Sequence, residues 1–128
     1  MKLSAVATRE QILAVQHFVR AAPVSDHVID YAVALASATR PTAKPAQQVT
    51  QDFVEWGAGP RASQYLILGA KALALLKGRL SPETEDVREV AGPVLQHRVI
   101  TNYRATGAGK KARDIVAALV KAVPENAY

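Results

Sequence analysis

The chain has 128 residues and a formal net charge of +5 at pH 7, and hydrophobic residues make up 49% of it. That length suits one domain and is too short for two independent hydrophobic cores. The chain contains no cysteine, which excludes a disulfide scaffold, thiolate metal sites and catalysis by a thiol. Aromatic residues make up only 5%, and alanine, the best helix former, recurs throughout, so the composition favours an all-α fold.

The first third of the chain predicts two helices. Thr8-Arg9-Glu10-Gln11 has the form of a capping box, in which a hydroxyl and an amide side chain cap the first turn of a helix. Apolar residues then recur at helical spacing until Pro23, which predicts a helix over Arg9–Ala22. Ser25 is placed to cap a second helix that ends near Arg40-Pro41.

The middle of the chain predicts a loop, a short helix and one long helix. Residues 41–48 carry two prolines and no hydrophobic period, which indicates an exposed loop. Val49–Trp56 has a short, mixed pattern with apolar residues on one helical face. Pro60–Lys77 is apolar around most of its circumference and is followed by Gly78, which is expected to cap its C-terminus. A helix of that kind is usually the buried centre of a bundle.

The last third predicts shorter elements. Ser81-Pro82-Glu83 opens a helix that Gly92-Pro93 is expected to break, and Val94–Arg98 is expected to form one or two further turns. Residues 101–111 read as irregular and basic, and Ala112–Val123 as a last amphipathic helix. No segment shows the alternation of a strand. We therefore predict one all-α domain over residues 1–128, a small bundle of about four to six helices.

No segment reads as a signal peptide or a membrane span. The longest apolar stretch, Tyr65–Leu76, is interrupted by Lys71 and is shorter than the roughly 20 residues that a bilayer crossing requires. We therefore expect a cytoplasmic protein.

Patterns that would indicate an enzyme are incomplete. Gly107–Lys111 is similar to a phosphate-binding loop but lacks the earlier glycine and the Ser or Thr that follows the lysine. The three histidines have no metal-ligand spacing, so we predict no metal site. The acidic residues of the helix that follows Pro82 read as a solvated face near the positive end of the helix dipole; they are Glu83, Glu85, Asp86 and Glu89.

The C-terminal part is basic. From Arg98 onward there are six basic residues and two acidic ones. Such a surface could bind nucleic acid or an acidic protein, and the chain could then be a stand-alone helical binding module. The segment has no interleaved aromatic residues and no clear recognition helix, which makes nucleic acid the less favoured partner. The basic residues are Arg98, Arg104, Lys110, Lys111, Arg113 and Lys121.

A resemblance to a known family begins at Trp56–Ser63, Trp-Gly-Ala-Gly-Pro-Arg-Ala-Ser. It is similar to the Gly-Ala-Ser-Pro-Arg-Ala-Ser segment that opens a long helix in the C-terminal lid domain of MoxR-type AAA+ ATPases. Gly59 stands where that family usually has serine or another small residue. The resemblance covers most of the chain through further segments in the family's order: Val24-Ser25-Asp26, Tyr31, Ala38-Thr39-Arg40, Ala70–Arg79, Asp86-Val87 and Val94–Arg98.

The resemblance implies a role for Arg61. In this family the arginine at that position is the sensor 2 arginine, which reaches the terminal phosphates of a nucleotide held by an α/β domain. Gly57, Gly59 and Pro60 would form the supporting turn, and the two glycines would give it freedom. An alternative is that Arg61 only forms an ion pair with Glu55 or Asp52.

The resemblance also implies partners and cofactors. The full-length parent would bind ATP and magnesium, and the lid would contact its own α/β core and neighbouring subunits of an oligomeric ring. The parent family is similar to chaperone-type motors that assemble or activate other, here unknown, proteins. Because the Walker A and Walker B residues belong to the α/β domain and do not occur in these 128 residues, we expect this chain alone not to hydrolyse ATP.

Overall fold

The computed structural model describes residues 3–125, and in that part of the chain helices predominate. The all-α prediction is confirmed, with one small two-stranded sheet added. The elements in chain order are α1 (Arg9–Ala21), α2 (Asp26–Ala38), α3 (Gln48–Phe53), β1 (Val54–Trp56), α4 (Arg61–Leu76), α5 (Thr84–Leu95), β2 (Ile100–Thr101), α6 (Tyr103–Gly107) and α7 (Ala112–Ala122). Within residues 3–125 no helix combines the length and the apolar character needed to cross a membrane.

Helix α1 forms as predicted but packs on the surface of the bundle. The Gln11 amide donates to Thr8 Oγ1 at 3.2 Å, and the Thr8 amide donates to Gln11 Oε1 at 2.8 Å, so the capping box is present. The helix packs chiefly against α4. Its apolar stripe nevertheless remains more than half exposed at Ile12, Leu13, Val15 and Phe18.

The core lies between α2, α4, α5 and α7. Helix α4 contacts α1, α2 and α5, so its predicted central place in the bundle is confirmed. Only one stripe of it is buried, however: Ala62, Leu66, Ala70 and Ala74 recur every four residues. Leu76 at its end is 85% exposed, so the expectation of burial around most of the helix was wrong.

The break predicted at Gly92-Pro93 does not occur, because α5 runs through both residues to Leu95. A proline inside a helix removes one backbone hydrogen bond and crowds the carbonyl four residues earlier. Here that carbonyl belongs to Glu89, and both Glu89 and Pro93 lie on the exposed side of the helix. The opposite side buries Ala91 and Leu95 in the core, and this packing keeps the helix continuous.

The strands β1 and β2 were not predicted. They pair antiparallel, with Val54 opposite Thr101 and Trp56 opposite Ile100, and they are too short to show an alternating pattern. Asn102 follows β2, and its side chain accepts from the Ala105 amide at 3.1 Å and donates to the Asp52 carbonyl at 3.0 Å. The segment predicted to be irregular therefore contains the end of β2 and the short helix α6, and Asn102 attaches it to α3.

Candidate functional site

The turn between β1 and α4 carries the predicted site. Its residues are Gly57, Ala58, Gly59 and Pro60, and we call it the 57–60 turn. The Ala58 amide donates to Thr39 Oγ1 at 2.8 Å, and Arg40 Nε donates to the Ala58 carbonyl at 2.9 Å. The turn is thus held against the C-terminal end of α2.

Gly57 is required by a close approach between two backbone segments. A Cβ atom at this position would lie 2.4 Å from the Thr39 carbonyl oxygen and 2.7 Å from Arg40 Cα. At Gly59 a Cβ atom would meet nothing within 4 Å. Neither glycine has a positive φ, a conformation that among the described residues occurs at Gly78 and Gly109. The expectation that both glycines give the turn freedom is therefore corrected for Gly57, where glycine is needed because no side chain would fit.

Arg61 is the first residue of α4, directly after the 57–60 turn. Its side chain is exposed, and the N-terminus of α4 has no side-chain cap. Pro60 precedes it with helical dihedral angles, φ −57° and ψ −31°, as expected for a proline that leads into a helix. Arg61 thus follows the 57–60 turn directly at the start of α4, and its role as the sensor 2 arginine stays a prediction.

The alternative of an ion pair between Arg61 and Glu55 or Asp52 is not found. In the described range 3–125, Arg61 takes part in no salt bridge. Asp52 instead lies 4.0 Å from Arg104 and accepts hydrogen bonds from Gln48. Arg61 thus combines an exposed guanidinium with the positive end of a helix, a combination that favours an anion such as phosphate.

Thr39 and Arg40 are site residues to which the sequence assigned no role. Thr39 is fully buried and Arg40 half-buried. Both lie 18 or 19 positions before the residue that they bind, so no local pattern could have paired them. The available signal was their place in the segment Ala38-Thr39-Arg40, which resembles the family.

Asp86 was misread as part of a solvated helix face. Its side chain is completely buried; it accepts from Arg79 at 2.6 Å and from Lys77 at 3.2 Å. Its other oxygen accepts from the Glu83 amide at 2.8 Å, which caps α5. Burial raises the pKa of the Asp86 carboxyl, but these hydrogen bonds and charges lower it by more, from 3.8 to about 2. Asp86 therefore joins the α4–α5 connection to the start of α5.

Three of the six basic residues in the C-terminal part contact other side chains of the chain. Arg98 lies over the Tyr65 ring at 4.9 Å, a cation–π contact. Arg104 lies near Asp52, and Arg113 lies 3.8 Å from Asp114. Arg98, Arg104 and Arg113 thus have partners within the chain, although the side chains of Arg104 and Arg113 remain mostly exposed.

Residues 3–125 contain no group of three or more His, Asp or Glu side chains placed to hold a metal ion.

A groove of about 520 Å³ lies next to α1. Its lining is mostly apolar and includes Val15, Val19, Tyr65, Leu68 and Val94. The groove shares Val15 with the exposed stripe of α1, and we call the groove and the stripe together the α1 face.

Comparisons with known proteins agree with this arrangement. Over residues 46–119, more than half of the chain, the sequence matches the AAA lid domain family. It is 40% identical over 100 residues to Chaperone MoxR1 of Mycobacterium tuberculosis, covering 76% of this chain and 24% of that protein. It is 41% identical over 47 residues to Protein MoxR of Paracoccus denitrificans, covering 37% of this chain and 14% of that protein.

A solved protein from Cytophaga hutchinsonii has the same fold. Its name gives ATPase as a provisional assignment. The TM-score is 0.83 at 30% sequence identity, with 90% of this chain and 35% of that chain covered. The chain thus spans about a quarter of MoxR1 and about a third of the solved protein. These matches include the 57–60 turn and α4, and the chain belongs to the AAA lid domain family in its MoxR-type form.

Proposed function

We propose that the chain acts as the lid of a MoxR-type AAA+ ATPase and that Arg61 is its sensor 2 arginine. The observation that supports this role is an exposed guanidinium that has no ion-pair partner within residues 3–125 and begins a helix without a side-chain cap. A planar arginine can donate two hydrogen bonds to one phosphate group. Its contact with the terminal phosphate of the nucleotide would hold the lid closed, and loss of that phosphate would release it.

ATP and magnesium are the cofactors that this role requires. Arg61 and the N-terminus of α4 fit the outer oxygens of a phosphate, because both supply positive charge and α4 lacks a competing cap. The residues that hold the rest of the nucleotide and the metal would come from the α/β core. We therefore propose nucleotide sensing for this chain, and nucleotide binding and hydrolysis for the assembly with the core.

The proposed partner of the α1 face is the α/β core of the ATPase. An exposed apolar surface often marks an interaction site, and MoxR1 and the solved protein are about four and about three times as long as the part that this chain covers. The same assignment makes neighbouring ring subunits and a client protein the further proposed partners. MoxR1 is named a chaperone, and we propose a comparable cytoplasmic role in protein assembly or activation.

The test compares variants of residues 1–128 joined to a MoxR-type α/β nucleotide-binding domain. Arg61→Ala should lower ATP turnover about 10- to 100-fold, because a hydrogen bond to a charged group contributes about 1.5–3 kcal/mol. Arg61→Lys should recover only part of the loss, since lysine cannot donate in the same planar geometry.

Arg113→Ala is the matched control, because Arg113 is also an exposed arginine but lies in α7. It should leave turnover within about twofold of the unmodified protein. ATP affinity measured by calorimetry should fall for Arg61→Ala and stay unchanged for the control. Equal turnover for both variants would remove the sensor 2 assignment.

A further inference from the structure

Both backbone hydrogen-bonding groups of Ala58 are bound by two consecutive side chains at the end of α2. The amide donates to Thr39 Oγ1 at 2.8 Å, and the carbonyl accepts from Arg40 Nε at 2.9 Å. Ala58 and Thr39 are 1% and 0% exposed, so water cannot replace the first of these bonds. The turn is therefore bound to α2 through both backbone groups of Ala58.

The Thr39 hydroxyl is itself oriented by a second hydrogen bond. It donates its single proton to the Ala36 carbonyl at 2.6 Å, and its oxygen is then free to accept from the Ala58 amide. Thr50 supports the same helix end by donating to the Ala38 carbonyl at 2.7 Å. The site therefore needs a hydroxyl that donates and accepts at once, which serine can supply and valine cannot.

The restraint continues from the turn into α4. Gly57 lies against the Thr39 carbonyl so closely that no side chain fits between them. The Ala62 amide donates to the Gly59 carbonyl at 2.9 Å, and Ser63 Oγ donates to the Pro60 carbonyl at 2.8 Å. Hydrogen bonds at the three consecutive residues Ala58, Gly59 and Pro60 thus fix the chain between the end of α2 and the first turn of α4, where Arg61 lies.

We propose that Thr39 and Arg40 are positioning residues that fix the 57–60 turn. By fixing the turn they set the direction in which the Arg61 side chain projects from the start of α4. The inference rests on the sensor 2 role proposed above. It also replaces the expectation that the two glycines make the turn free: the turn is restrained from α2, and Gly57 permits the restraint by its small size. Arg61 is thereby preorganised for its phosphate, and little ordering of the turn is left for the moment of binding.

The first test measures amide hydrogen exchange by NMR in the full 128-residue chain. Thr39→Val should speed exchange at Ala58 by about tenfold or more relative to Leu66, a buried residue of α4, because the amide loses its acceptor. Thr39→Ser should restore the protection. Thr42→Val, the same change at an exposed threonine three positions away, should have no effect.

An unchanged rate at Ala58, or an equal increase at Ala58 and Leu66, would overturn the proposal, since the second result means a general loss of stability. Where Thr39→Val does not fold, Arg40→Gln is measured instead, because Arg40 is only half-buried. Arg40→Gln should loosen the same turn through the Ala58 carbonyl. Its failure to alter exchange at Ala58 and Ala62 would likewise refute the positioning role.

The second test is a double-mutant cycle with residues 1–128 joined to the α/β core. Thr39→Val should lower kcat/KM for ATP about tenfold when Arg61 is present, and less than about twofold in the Arg61→Ala background. Losses that multiply in the double variant would show that Thr39 does not act through Arg61. If Arg61→Ala alone leaves turnover unchanged, the sensor 2 function fails, and the exchange experiment still decides whether Thr39 and Arg40 fix the turn.

Discussion

Replacing Asp86 with asparagine should destabilise the protein at neutral pH and have a progressively smaller effect as the solution becomes acidic. The carboxylate is completely buried and accepts from Arg79, Lys77 and the Glu83 amide. Asparagine keeps the approximate shape of the side chain but loses the charge. Because Arg79 and Lys77 are about one-third exposed, both can regain water, which limits the cost of leaving them unpaired.

The expected magnitude follows from the lowered pKa of Asp86. A fall from 3.8 to about 2 corresponds to about 2 kcal/mol, since one pKa unit is about 1.4 kcal/mol. A carboxyl whose pKa is lower in the folded state stabilises that state fully above its unfolded pKa. The contribution of Asp86 should therefore be complete above about pH 5 and decline as the pH falls from about 4 through about 2.

The assay is urea unfolding followed by far-ultraviolet circular dichroism at several values between pH 7 and pH 2. The fluorescence of the single tryptophan, Trp56, is a poor probe because its side chain is already 67% exposed in the folded state. Asp86→Asn should lower the free energy of unfolding by about 2 kcal/mol at pH 7. The difference from the unmodified protein should approach zero near pH 2.

Glu89→Gln is the matched control, because Glu89 also binds Lys77 but is about half exposed. An exposed ion pair contributes about 0–1 kcal/mol, so this variant should lose less than about 1 kcal/mol. A difference for Asp86→Asn that stays constant from pH 7 to pH 2 would refute the electrostatic reasoning. So would a variant that is as stable as the unmodified protein at pH 7.

Two further predictions concern the turn and the surface. Gly57→Ala should lower the free energy of unfolding by about 1–3 kcal/mol in urea, because its Cβ would meet the Thr39 carbonyl oxygen at 2.4 Å. Gly59→Ala should change it by less than about 0.5 kcal/mol, and equal effects would contradict the close approach. Phe18→Glu should cost the isolated chain less than about 1 kcal/mol, because Phe18 is 55% exposed, but should lower ATP turnover when the chain is joined to its core. Unchanged turnover would argue against docking through the α1 face.

The longer helices could be predicted because the interactions that define them lie within about four residues. The capping box at Thr8 and Gln11, the apolar period of α1 and the stop at Pro23 are all local features. The place of Arg61 at the start of a helix was predictable on the same grounds, since it directly follows a proline. Gly92-Pro93 was the case in which local reasoning failed, because burial of α5 against the core outweighed one lost hydrogen bond.

The restraint on the 57–60 turn could not be predicted from local sequence patterns. Thr39 and Ala58 are 19 positions apart, and only folding places the end of α2 beside the turn. Gly57 could be recognised as unusual, but flexibility and close packing are both ordinary reasons for a glycine. The neighbouring Thr39 carbonyl decides between them in favour of packing.

The amino-acid sequence by itself determined that this protein is an α-helical lid and that Arg61 stands at the start of its long helix. The helical periodicity of the apolar residues, the capping residues and the family segment can each be recognised from residues that lie close together in the sequence. The tertiary structure alone decided that Asp86 is a buried ion-pair partner, that β1 pairs with β2, and that Thr39 and Arg40 hold the turn before Arg61. The physical reason is that burial and these hydrogen bonds join segments distant in sequence, and their partners exist only once the helices have packed.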